Sequence, residues 1–374
     1  MRRLALLVAL IGVLCTPSAA SAVSTPPTPV LAYYYIWFTP NSWSRAKADL
    51  PVLGRYSSDD ETVMRRHVTW AKRAGIDGFL VSWKSTPTLD ERLARLIRIA
   101  DGQNFKLGIV YEGLDFEHNP LPIDTVEHDL TRLAAVYAQD RAFSIFDRPL
   151  VIWSGTPKYT HDEVLQVTGA VKNRLLVLAS ARNVRDFKRI DDLVDGNAYY
   201  WSSVNPSTYP RYTQKLAEMS SAVHARGGLW IAPFAPGFDA RKLGGKTIVP
   251  RAQGATLRTE YSAALGSSPD ALGLISWNEF SEDSYVEPSR RYGASSLSTL
   301  AALRGAQPPQ IEAFDSDASL PSTGSGFSGL PAVLGAVGLL VATTILLRWR
   351  LRRAAAHERS RKLWRGSTGK GGLP

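Results

Sequence analysis

The chain has 374 residues, a formal net charge of +10, 44% hydrophobic residues and one cysteine. The charge does not indicate a nucleic-acid partner: residues 1–22 carry two of the ten positive charges and residues 348–374 a further eight, so the stretch between them is neutral. The single cysteine, Cys15, lies in the first segment, and its removal with that segment would exclude disulfides, thiolate metal sites and a cysteine nucleophile from the mature chain.

In chain order, residues 1–22 come first. Arg2 and Arg3, an apolar run from Leu4 to Leu14, and the small residues Ala20, Ser21 and Ala22 form the pattern of a secretory signal peptide. Residues 23–29 are a Pro-rich leader. The body at 30–304 has the size of a (β/α)8 barrel, which typically takes ~250 residues, and it alternates short β-rich runs with amphipathic stretches. Strands are expected at 30–38, 78–83, 106–111, 149–153, 175–181, 196–201, 229–234 and 271–277, and helices at 60–74, 89–100, 125–139, 162–171 and 211–225. Eight strands with helices between them predict an α/β fold of the (β/α)8 class. The rival is an open doubly wound sheet, but no Gly-rich phosphate loop follows the first strand.

Residues 305–329 are a linker. Residues 327–347 are uncharged and long enough to cross a bilayer, and Arg348, Arg350, Arg352 and Arg353 follow at once. The positive-inside rule puts the basic tail, 348–374, in the cytoplasm and the body outside, with the membrane as a partner through this helix. Upstream, Leu320-Pro321-Ser322-Thr323-Gly324 resembles the LPxTG signal that sortases cut and join to the cell wall. Two readings stand: a sortase substrate, or a permanent single-pass helix, which the long tail favours. Either way, the expected location is the cell surface.

The active site of a (β/α)8 barrel lies at the C-terminal ends of its strands. The candidates there are Tyr33, Tyr34, Tyr35 and Trp37 on strand one, Trp83 on strand two, and Tyr111 and Glu112 on strand three. Tyr199, Tyr200 and Trp201 follow on strand six, Asp239 after strand seven, and Trp277, Asn278, Glu279, Glu282 and Glu287 around strand eight. This mix of aromatics and carboxylates suits a glycan, because aromatic faces stack on the C–H faces of sugar rings and carboxyl groups act as acid, base or nucleophile at the glycosidic bond. No cofactor is called for. The six histidines lack HxH or HxxxH spacing, which leaves no motif for a catalytic metal, and Ser154 lacks the GxSxG context of a serine hydrolase.

Within ISWNEFSEDSYVEPSRRYG, residues 275–293, strand alternation would aim Trp277 and Glu279 one way and Asn278 the other. Glu282 needs a turn to join Glu279 in one cleft. Two carboxyls sharing a cleft repel when both are ionised, which would raise one pKa and keep that group protonated.

This segment, with AYYYIWF, AGIDGFLVSWK, IVYEG and APFAPGFDARK earlier, resembles glycoside hydrolase family 99 and family-99-like domains over residues 30–304. The resemblance implies a retaining endo-α-mannosidase. It also implies that Glu279 acts as base on the substrate's own 2-hydroxyl and Glu282 as general acid and then base. Family members commonly read NEWHEGTQIEP where Phe280, Ser281, Asp283 and Tyr285 stand here, and fungal-type α-1,3-glucanases carry a similar pattern. The expected partner is therefore a polysaccharide: α-mannan, α-glucan or another surface polysaccharide. A non-catalytic carbohydrate-binding protein on a degenerate barrel is the alternative from another class.

Overall fold

A computed structural model describes residues 27–311. The expected signal peptide, the LPSTG pentapeptide, the membrane segment 327–347 and the basic tail lie outside these residues. Among the described residues no helix is long and apolar enough to cross a membrane.

The body is a closed barrel of eight parallel strands: β1 Val30–Tyr35, β2 Gly78–Trp83, β3 Lys106–Glu112, β4 Leu150–Ser154, β5 Leu176–Ala179, β6 Gly196–Ala198, β7 Leu229–Phe234 and β10 Ala271–Leu274. The barrel closes where β1 pairs with β10. Between them, β8 Phe238–Asp239 and β9 Ile248–Val249 form a small antiparallel hairpin on the loop after β7.

Alternation along each strand divides the core in two. Leu31, Tyr33, Leu80, Val110, Ile152, Leu178 and Ile231 point inward and fill the barrel. Val30, Ala32, Tyr34, Phe79, Val81, Tyr111 and Trp153 point outward against the helices. Gly273 makes room inside, since a Cβ there would lie 3.3 Å from Cε2 of Tyr33.

The five expected helices form as α1 Glu61–Arg73, α2 Pro87–Gly102, α3 Ile123–Val136, α4 His161–Val171 and α6 Tyr212–His224. A four-residue α5, Val184–Phe187, precedes α6, and α7 Ala255–Leu265 and α8 Ser295–Arg304 complete the outer layer. Helix starts follow capping chemistry. The Asp60 carboxylate accepts from the N–H groups of Thr62 and Val63, and Thr160 with Glu163 forms a capping box on α4.

Four strands stop short of their expected ends, all at the C-terminal face: β1 at Tyr35, β5 at Ala179, β6 at Ala198 and β10 at Leu274. At β1 and β10 the cause is visible. The Asn278 side chain takes over the hydrogen bonds of Tyr35, its Oδ1 accepting from the Tyr35 N–H at 2.9 Å and its Nδ2 donating to the Tyr35 carbonyl at 3.0 Å. A side chain thus replaces the ladder where the barrel opens.

Candidate active site

The segment after β10 is a loop rather than a strand, which corrects the expectation that Glu279 would sit on the strand's lip. Trp277 N–H still bonds the Tyr33 carbonyl at 2.8 Å, but Ser276 then pairs with Ser284 and Val286, folding the segment back on itself. Glu279 is fixed within that fold. Its N–H donates to Ser276 Oγ at 2.8 Å, and its Oε1 accepts from the Ser281 N–H at 2.8 Å. Lys47, from the segment after β1, donates to Ser281 Oγ at 2.7 Å and brings an ammonium into the field of Glu279. Glu279 is only 7% exposed, and burial raises its pKa against the pull of the Ser281 N–H and Lys47.

Glu282 lies in different surroundings. Its backbone carbonyl accepts from Asp239 N–H at 2.7 Å, tying the loop to the hairpin. Burial first, and then the charge of Glu279, push its carboxyl up to about 7.

The tyrosines facing the two carboxyls come from β1 and the loop after β6. Tyr35 and Tyr200 share a hydroxyl–hydroxyl hydrogen bond of 2.8 Å, and Tyr33 meets Tyr200 edge-on with centroids 5.1 Å apart. Both Tyr35 and Tyr200 feel Glu279 and Glu282, and burial raises both phenols well above their ordinary value. Trp37 stacks on Tyr35 at 4.4 Å and remains 43% exposed. Glu112 enters from β3, accepting from Ser82 Oγ at 2.8 Å; burial raises its pKa, while Ser82 and Lys84 oppose the rise. Tyr33, Tyr35, Trp37, Glu112, Tyr200, Glu279 and Glu282 therefore occupy one mouth.

The remaining candidates are elsewhere. Trp83, Tyr111 and Trp277 are fully buried in the layer between barrel and helices, because each alternates with an inward neighbour. Trp83 Nε1 donates to Asp90 and Tyr111 to Asp129, both at 2.9 Å, while Trp277 packs on Phe79 and His67. Trp201 is stacked between Tyr199 and Tyr212. Asp239 is held by Arg241 at 2.6 Å, and that hydrogen bond lowers its carboxyl to about 2. None of these five presents a free face or carboxyl to a sugar.

Asn278 and Glu287 belong to a buried network behind the loop. Tyr34 Oη lies 3.0 Å from His67 Nδ1, His67 Nε2 lies 3.0 Å from Glu287 Oε1, and Tyr56 donates to Glu287 Oε2 at 2.9 Å. Asn278 Nδ2 reaches Tyr56 Oη at 3.3 Å. With the proton on Nε2, His67 donates to the carboxylate and accepts from Tyr34, so each polar atom of the ring has a partner.

Sequence reasoning missed Lys47, Tyr56, His67, Ser82 and Lys84. Only His67 left a signal, as a polar residue on the apolar stripe of Met64, Val68 and Ala71 in α1. Among the described residues no group of three or more His, Cys, Asp or Glu is arranged to hold a metal ion.

Residues 52–301 match the sequence model of glycosyl hydrolase family 71. The chain belongs to that family. This family 71 glycoside hydrolase shares its fold with the family 99 endo-α-mannosidase of Bacteroides thetaiotaomicron in its Bis-Tris propane complex (TM-score 0.66, 19% identity, 75% of this chain and 97% of that one). A second structure of the Bacteroides enzyme gives a TM-score of 0.64 at 18% identity over 74% and 95% of the two chains. A glycoside hydrolase-like protein gives 0.58 at 16% over 74% and 93%. No curated protein matches the chain.

Two predictions follow from this geometry. Asn278→Ala strands the Tyr35 N–H and carbonyl, costing about 2–4 kcal/mol and lowering Tm by ~5–10 °C in thermal unfolding; an unchanged Tm would refute the clamp. The second concerns pH. A carboxyl whose pKa is higher folded than unfolded binds its proton more tightly when folded, so its contribution to stability falls as pH rises between the two values. For Glu282 that window runs from the ordinary carboxyl range to about 7. Denaturant titrations should show stability declining across it, with a shallower decline in Glu282→Gln.

Proposed function

We propose that this family 71 hydrolase cuts α-linked polysaccharide outside the cell, within the chain and with retention, using Glu279 as base and Glu282 as acid. The observation carrying this reading is the unequal environment of the two carboxyls. Glu279 accepts a backbone N–H and feels Lys47, whereas Glu282 has only burial and a neighbouring negative charge, both of which favour its protonated form.

In the first step Glu279 takes the proton of the sugar's 2-hydroxyl as O2 attacks the anomeric carbon. Glu282 protonates the departing glycosidic oxygen, leaving a 1,2-anhydro sugar. Glu282, now a carboxylate, takes a proton from water as that water opens the anhydro ring at the anomeric carbon, and Glu279 returns its proton to O2. Two inversions give retention. This route is carried over from the family 99 resemblance. Tyr33, Tyr35, Trp37, Glu112 and Tyr200 would line the subsite, with α-mannan or α-glucan as substrate.

Packing supports turnover over binding alone. Phe280 and Tyr285, the departures that could have filled the mouth, are buried behind the loop and stacked on each other at 3.8 Å. The signal-peptide pattern, the apolar segment 327–347 and the arginines after it support a surface location.

The purified protein should release oligosaccharides from α-mannan or α-1,3-glucan, and Glu282→Gln should lower release by at least ~10²-fold while keeping affinity; no product from either glycan defeats the proposal. The pH profile of kcat/KM should fall on its alkaline side near 7 as Glu282 ionises. Lys47→Met removes a charge that holds Glu279 down, so the acidic limb should move to higher pH while the alkaline limb stays. Protease added to intact cells should remove the barrel; full protection would refute the surface location.

A further inference from the structure

Among the described residues, the aromatic side chains that stay strongly exposed are Trp37, at 43%, and Phe116, at 99%. Both are on the mouth face. Trp37 follows β1 and Phe116 stands on the loop between β3 and α3, with β2 lying between those strands in the barrel. The other exposed large hydrophobics are aliphatic: Val136, Leu165 and Leu265 on helices, and Leu243 and Ile248 in the hairpin segment after β7.

One exposed apolar side chain is ordinary in itself. Phe116 is set apart by the rigidity of its support. Asp115 Oδ1 accepts from the N–H groups of Glu117 at 2.9 Å and Asn119 at 2.7 Å, and Oδ2 accepts from Asn119 Nδ2 at 3.1 Å. Leu114 pairs with Pro120 across the base of the loop, and Lys158 bonds the His118 carbonyl. A loop so crosslinked holds its tip residue out in water, at a position where the ring adds nothing to the core.

Lys84 connects this tip to the mouth. From the end of β2, its Nζ donates to the Leu114 carbonyl at 2.6 Å, lies 5.6 Å from the centre of the Phe116 ring, and acts on the charge of Glu112 inside the mouth. Trp37, Lys84 and Phe116 thus follow one another along one arc of the rim. A flat apolar ring beside an ammonium suits a pyranose, whose C–H face packs on the ring while its hydroxyls accept from the cation.

We infer that Phe116 is the platform of an outer sugar subsite, so that the site engages a chain of several units rather than its last residue alone. This rests on the glycan-cleaving reading and assigns it a binding site beyond the reacting sugars.

The test measures binding and cleavage of α-mannan and α-glucan oligosaccharides two and eight units long. In a Glu282→Gln background, Phe116→Ala should weaken binding of the bound eight-unit chain about fivefold and leave the two-unit chain unchanged. Phe116→Trp should retain full affinity, and Tm should not move, because the ring is 99% exposed and adds nothing to the core. With Glu282 present, the same substitution should raise KM for the longer chain at constant kcat. Equal loss at both lengths, no loss at eight units, or no binding of the longer chain overturns the inference. Length-dependent binding without cleavage by the otherwise unaltered protein leaves the inference standing and defeats the hydrolase reading.

Discussion

Everything at the mouth depends on how the chain leaves β10. Parallel strands supply the barrel with its own hydrogen bonds, but the carboxyls stand beyond the last rung, on a loop with no ladder to fix it. Asn278 supplies the missing order by bonding both the N–H and the carbonyl of Tyr35. Behind it, Tyr56, Glu287, His67 and Tyr34 form an unbroken chain of buried hydrogen bonds anchored in α1 and β1. Such a network is worth having only when every member is satisfied, since a buried polar atom without a partner costs about 1–3 kcal/mol. Here the reward is precision: Tyr35, which faces the carboxyls, and Glu279, next to Asn278, are positioned by the same amide.

That precision allows two identical side chains to differ. Glu279 and Glu282 are three residues apart, the first buried and the second half-buried, yet only Glu279 receives a backbone N–H and a cation's field. Glu282 keeps the cost of burial and adds repulsion from its neighbour. Both effects favour the protonated form of Glu282. The difference between the two thus comes from the support around each group rather than from the groups themselves.

The barrel was legible because its signals are local. Period-two strands, period-3.6 helices and caps such as Asp60 and Thr160 are all written within a few residues of where they act. The site was only partly legible. Strand ends could be located, but each run such as Tyr33-Tyr34-Tyr35 or Tyr111-Glu112 sends neighbours to opposite faces, and sequence gives the alternation without its phase. Hence Trp83 and Tyr111 drew the same attention as Glu112, though they face the helices. Lys47 and His67 meet their partners Ser281 and Glu287 across 234 and 220 residues, and no periodicity reports contacts at that range.

The residues that depart from the family 99 pattern have partners of their own. Phe280 packs against Trp43 and stacks on Tyr285, whose hydroxyl donates to Asp49. Ser281 holds Lys47, and Asp283 takes Arg251, whose guanidinium lies between the rings of Tyr285 and Tyr292. Trp43, Lys47 and Asp49 all come from the segment after β1, and Arg251 from the segment after the hairpin. A loop that had merely decayed would carry substitutions without matching contacts. Here altered residues of the loop interlock with residues from two other segments, and they do so while keeping Glu279 and Glu282 at the opening. The departures therefore describe a different way of holding the same pair of carboxyls.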